Sequence, residues 1–214
     1  MLWSLGDPAA WDWPSILKTV IGAGLGTGAV QGGISLYKDR ALRNDGAAYL
    51  ALRVAVLLEA YTSECCEFYF ENANAQQPPD EPYPAWRTGL PPLADLPDDA
   101  DAWRAMDKRL TAKCLNFPNR VRASQNMISS AIEYTESELG LVLDEQACAR
   151  GVEAWEIASS LRDTYKLERA EIVFDYHGVL QKALKISKQQ REESDADQAA
   201  MMAELSADMT RTTP

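Results

Sequence analysis

GAAYLALRVAVLLEAYTSECCEFYFENAN, residues 46–74, sets Leu50, Val54, Leu57, Tyr61, Cys65 and Phe68 three or four positions apart. That period marks an amphipathic helix with one apolar stripe turned to a core. Arg53 and Glu59 inside the stretch argue against a membrane span, so the helix belongs to a packed body. The pattern returns downstream at Val121, Ile128, Ile132, Leu139 and Leu143, then at Cys148, Val152, Trp155, Ala158, Leu161 and Tyr165, and last at Ile172, Tyr176, Val179, Ala183 and Ile186. Strand signals are few, and the fold expected is all-α, an antiparallel helical bundle. A further helix is expected from about Ala100 to Leu115, restarted or kinked at Asn116-Phe117-Pro118-Asn119, with Gly140 as a local break.

Between the first helix and the next, QQPPDEPYPAWRTGLPPLADLPD, residues 76–98, holds seven of the eleven prolines and excludes a helix. Pro79-x-x-Pro82 suits a polyproline II ligand for an aromatic groove. Trp86, Leu90, Leu93 and Leu96 favour instead a strap lying on the bundle.

Upstream, TVIGAGLGTGAVQGGISLY, residues 19–37, carries no formal charge over nineteen positions. Trp3, Trp11 and Trp13 precede it, and Lys38, Arg40 and Arg43 follow. At 1.5 Å per residue nineteen residues cover about the 30 Å of a hydrocarbon core, and the flanking aromatic residues suit its interfaces. Six glycines, two threonines and Gln31 make the segment weakly hydrophobic. In water six glycines would disfavour a helix by roughly 5 kcal/mol, whereas lipid forces backbone groups to pair internally. The expectation is a single transmembrane helix. Gly24, Gly28 and Gly32 fall on one face, and Gly22 and Gly26 on a neighbouring one with Ala29 and Gly33, a glycine-zipper arrangement that permits close helix packing. Small residues also merely tolerate lipid. GLGTGA, residues 24–29, matches a dinucleotide-binding fingerprint, but no strand-helix alternation follows it. The basic flank after the span places the following body in the cytoplasm by the positive-inside rule.

The chain has 214 residues, 32 acidic against 21 basic, and a net charge of −11. Residues 1–75, 76–101, 102–190 and 191–214 sum to −3, −5, +1 and −4, so acidity concentrates in the strap and a tail. Such a balance opposes non-specific nucleic-acid binding. Arg104, Lys108, Arg109 and Lys113 form a basic helix face, readable as a solvated surface or as a contact for anionic lipid or an acidic partner. Lys38, Arg40 and Arg43 join Arg104 and Lys108 as candidate lipid or partner contacts.

Cys65, Cys66, Cys114 and Cys148 show no CxxC pair and no histidine at ligand spacing, so free thiols are expected and neither metal nor cofactor is implied. Glu168, Glu171, Asp175 and the single histidine, His177, form the only carboxylate and histidine cluster. A di-iron bundle needs Glu-x-x-His on two helices, and position 174 is Phe, so a solvated face is expected. No nucleophile elbow, zinc-protease or phosphate-loop string occurs, and no catalytic residue is assigned.

Residues 47–72, 90–128 and 151–165, with WRAMD at 103–107 and LNFPN at 115–119 as the most specific strings, resemble a group of bacterial proteins with one N-terminal span and a cytoplasmic helical body. No activity is established for that group. The resemblance implies a single-pass protein of the bacterial inner membrane and assigns no site. The organisation expected is an interfacial segment (1–18), the span (19–37), a cytoplasmic bundle (38–190) and an acidic tail (191–214) that frays except for a short contact helix at MMAELSADM. The function expected is a membrane-anchored interaction or scaffold module that touches membrane lipid and associates with itself or another protein. The alternatives are a membrane-perturbing effector assembled through its glycine-rich span and, less favoured, an enzyme.

Overall fold

In the computed structural model, residues 27–80, 83–134, 138–169 and 174–211 are described, with side chains over the part of that set between 45 and 203. Outside the strap and the turns the described residues are helical, with no strand among them. α1 spans Thr27–Ala73, α2 Ala100–Ala105, α3 Lys108–Tyr134, α4 Leu139–Tyr165 and α5 Tyr176–Arg211. Two compact units divide at Gly46, and the second, from Ala47, is the bundle.

Leu50, Val54, Tyr61, Cys65 and Phe68 of α1 are buried as the stripe predicts, with Ala51, Ala55, Leu58 and Thr62 widening the covered face. α4 runs antiparallel to α1: Glu59 pairs with Arg162, and the Thr62 hydroxyl reaches the carbonyl of Gly151 at 3.1 Å. α5 runs antiparallel to α4, with His177 stacked on Trp155 and Arg191 paired to Glu145. α3 packs on α4 as well. Its Phe117 meets Tyr61 edge-on at 5.6 Å. Where α1, α4 and α5 meet, Gly151 lies under Leu180 and Cys65, and a Cβ there would sit 2.5 Å from Leu180 Cδ1.

The proline-rich stretch is a strap, as expected. Its backbone finds partners in two amide side chains. Asn72 accepts from Arg87 N–H and donates to Arg87 C=O, while Gln125 accepts from Leu90 N–H and donates to Thr88 C=O. Trp86 and Leu90 cover a second core cluster of Phe68, Ile128, Leu139, Val142 and Leu143, and Leu93 and Leu96 lie on the main one. Gly140 serves this contact, because the Trp86 ring comes within 3.0 Å of where its Cβ would be. It sits inside the first turn of α4 and is no break.

Helix boundaries differ from the expected ones for local reasons. The helix foreseen over 100–115 is two helices, because Met106 is extended and Asp107 caps α3 by accepting from Arg109 and Leu110 N–H. α3 continues through Pro118 without ending. Proline in a helix interior costs about 3 kcal/mol, and the burial of neighbouring Phe117 opposes that loss. Ile132 is exposed and the stripe through Leu139 and Leu143 belongs to α4, so the chain changes helix between them. On α5 the inward row is Leu180, Ala183 and Ser187 rather than Ile186, and the acidic stretch from Arg191 continues as helix to Arg211.

No helix of the described residues is long and apolar enough to cross a membrane. Residues 19–26 of the expected span, with Gly22, Gly24 and Gly26, lie outside the described residues. Residues 27–37 form the start of α1, which includes Gly28 and Gly32.

Candidate interaction surface

The thiols of the bundle are part of its packing. All four cysteines are free and buried. Burial raises each thiol, to about 12 for Cys65 and for Cys114, which leaves them protonated and weakly nucleophilic. Cys66 and Cys148 shift the same way for the same reason. The expectation of free thiols is met.

Among the described residues, the most enclosed ion pair joins α1 to α4. The Arg162 guanidinium donates from Nε to Glu59 Oε1 at 2.5 Å and from Nη2 to Glu59 Oε2 at 2.7 Å, and from Nη1 to the Glu168 carbonyl. The two side chains are 9% and 14% exposed, and the Glu59 carboxylate holds Arg162 above its ordinary range. The pair locks α1 to α4 just before α4 ends, where Lys166 adopts a left-handed conformation (φ 53°). Such a pair fixes register more than it adds stability.

The carboxylate and histidine cluster does not form a site. Asp175 caps α5 through Gly178 N–H, Glu168 contributes its backbone carbonyl to Arg162, and Glu171 lies outside the described residues. His177 is half-buried, stacked 5.9 Å from Trp155, rather than surface-exposed as expected. Burial alone lifts the Asp144 carboxyl to about 6. Among the described residues no group of three or more His, Cys, Asp and Glu side chains comes together as metal ligands do.

Outward chemistry concentrates on α3. Lys108, Arg109, Lys113, Arg120 and Arg122 are all exposed, and no Asp or Glu occurs in the helix before Glu133. Arg120 pairs with Glu153 of α4. Lys108, Arg109, Lys113 and Arg122 have no ion-pair partner among the described residues, although the chain as a whole is strongly acidic. Asn116 and Asn119 lie exposed between Lys113 and Arg122, and Asn126, Met127, Ile132 and Tyr134 continue the exposed residues beyond them, the last three at 55%, 45% and 75% exposure. Beside Arg122 an open hollow of about 500 Å³ separates the strap from α3, lined by Leu90, Pro91, Leu93, Leu96, Val121 and Gln125 among others.

The basic face read from the sequence is therefore real but differently composed. Lys108, Arg109 and Lys113 share one exposed helix. Arg104 lies on α2 beyond the Met106–Asp107 break, neutralised by Asp101 at 3.0 Å. Arg120 and Arg122 were not anticipated. Their signal was available, since a run of twenty-five residues from Lys108 to Ile132 contains five cations and no anion. Lys38, Arg40 and Arg43 lie along α1 at positions whose side chains are outside the described set. No known protein family matches the chain, and neither does any curated protein or solved structure.

Proposed function

We propose that the chain is a membrane-anchored helical interaction module whose bundle presents α3 to a binding partner. The observation that supports it most is that Lys108, Arg109, Lys113 and Arg122 are exposed on both flanks of one helix, charges held without ion-pair partners among the described residues. Helix-borne side chains are positioned more accurately than loop-borne ones, and unpaired surface charge favours steering and register in association. The anchor part of the reading rests on residues 19–37, free of formal charge and followed by Lys38, Arg40 and Arg43, which direct the bundle to the cytoplasm of a bacterial inner-membrane protein. The resemblance to single-span bacterial proteins supports the same organisation. Contact with membrane lipid then comes through the span and its basic flank.

The test is a carbonate extraction of native membranes combined with a crosslinked pull-down. An anchored module stays in the pellet, and removing residues 19–37 releases it. A C-terminal fluorescent fusion is bright and a C-terminal alkaline phosphatase fusion inactive. Release of the full chain by carbonate, or an active phosphatase fusion, overturns the anchor or its orientation. Crosslinked species that persist after charge reversal on α3 overturn its role as the partner surface.

A further inference from the structure

The charges of α5 are sorted by sign. From Lys182 to Arg191 the helix holds four cations and no anion, and from Glu192 to Asp197 four anions and no cation. Arg191 pairs with Glu145 of α4. Lys182, Lys185 and Lys188, like Glu192, Glu193, Asp195 and Asp197, are exposed and belong to no ion pair among the described residues. Glu193 accepts a hydrogen bond from Gln189, one turn back on the same helix. Such an order does not serve the helix itself. Like charges three or four positions apart repel, and Lys188 stands before Glu192, the weaker orientation at that spacing, with no ion pair between them. The inward row of Leu180, Ala183 and Ser187 holds α5 on the bundle, which leaves the charged arc turned away from it. At 3.6 residues per turn Lys185 lies near the middle of that arc, with Lys182, Gln189, Glu193 and Asp197 to one side and Lys188, Glu192 and Asp195 to the other.

We infer that α5 is a self-association surface, pairing antiparallel with the α5 of a second copy of this chain. A two-fold axis perpendicular to the helices, passing between Gln189 and Gln190, sets Lys182 opposite Asp197 of the second copy. The same operation puts Lys185 between Glu193 and Asp195 of that copy and Lys188 beside its Glu192, and it brings each flank of the arc to the equivalent flank. The three lysines of each copy thereby meet carboxylates along about 22 Å of helix, Lys182 to Asp197 at 1.5 Å per residue. Parallel pairing in register would set like charge on like. The contact is isologous and closes at two copies. A uniformly anionic partner does not fit, because a lipid surface or nucleic acid that attracts the lysines meets four carboxylates within the next two turns. Exposed pairs are individually weak and screened by salt, so the contact is a salt-sensitive one. α5 and α1 both run antiparallel to α4, so the paired copies run in opposite directions. Copies anchored in one membrane make the contact with their bundles lying along its surface and the two-fold along its normal. The inference goes beyond the reading of α3 and uses neither that face nor the anchor.

The experiment is sedimentation velocity of the full chain in zwitterionic detergent micelles at about 0.1 M salt. Two variants reverse one half of the arc each, Lys185→Glu with Lys188→Glu and Glu192→Lys with Asp195→Lys. The wild type forms dimers. Each variant alone weakens dimerisation at least about tenfold, and the equimolar mixture, in which the reversed halves face each other, recovers a heterodimer. Oxidative crosslinking reads the direction of pairing without altering a charge. Gln189→Cys, beside the two-fold, links to its own copy, whereas Ala200→Cys, more than about 30 Å from its counterpart in the antiparallel pair, does not. The four native cysteines are buried. A monomeric wild type, or dimers unmoved by either reversal, overturns the inference. So does self-linkage at Ala200→Cys in place of Gln189→Cys, the mark of a parallel contact. Pairs of the chain itself persist when α3 is reversed, while species formed with an α3 partner are lost, so the two readings fail separately. A chain released by carbonate that still pairs through α5 upholds the inference and removes only the anchor.

Discussion

Gly151→Ala tests the closest approach in the bundle. A methyl at this position falls 2.5 Å from Leu180 Cδ1 and 2.9 Å from Cys65 Cβ, where carbon atoms ordinarily rest about 3.5–4.0 Å apart. Leu180 can turn its methyl, but it is fully buried and has little room to do so. Cys65 Cβ is fixed to the backbone of α1, so relief there requires the helices to separate. Overpacking of this kind costs about 1–3 kcal/mol, and replacing glycine inside a helix returns about 1 kcal/mol, which leaves a net loss of about 1 kcal/mol. The thermal midpoint should fall by about 2–4 °C, and the urea midpoint should fall at unchanged slope. The partner in the clash identifies itself in a double-mutant cycle. Leu180→Ala costs about 2–5 kcal/mol in the wild type, and about 1 kcal/mol less in the Gly151→Ala background, because the alanine removes the clashing Cδ1. Stabilisation by Gly151→Ala, or additive effects of the two changes, would refute the three-helix contact.

Two further outcomes follow from buried charge. Glu59→Leu leaves Arg162 buried without its carboxylate and should cost about 3–5 kcal/mol, whereas Glu59→Leu with Arg162→Met should cost less than the single change; equal losses by denaturant melt would show that the pair is solvated. Asp144, lifted to about 6 by burial, has a folded pKa above its unfolded value near 4, so the native state binds the extra proton and stability falls as pH rises from about 4 to about 6. Asp144→Asn should remove that component of the pH profile and raise the melting temperature at neutral pH, and an unchanged profile would place the titration elsewhere.

The helices of the body were readable from residues 46–74 onward because burial on one side of a helix writes itself into the chain at a period of 3.6. Leu50, Val54, Tyr61, Cys65 and Phe68 are covered for that reason, and α4 keeps Cys148, Val152, Ala158 and Leu161 inside. The strap was readable too, since proline excludes helix and its four apolar residues need cover. Boundaries were not. Asp107 ends one helix and begins another by accepting two backbone N–H groups, a choice between local hydrogen bonds that apolar periodicity does not record. Pro118 stays within α3 where the packing of Phe117 on Tyr61 opposes the lost hydrogen bond, and Gly140 and Gly151 are glycines because Trp86, Leu180 and Cys65 come close. Those facts exist only when distant segments meet. The cationic run of α3 was present in the sequence, but only the tertiary structure separated Arg104 from it, paired Arg120, and left Lys108, Arg109, Lys113 and Arg122 facing out without carboxylates, because which charges find partners depends on the helices packed beside them.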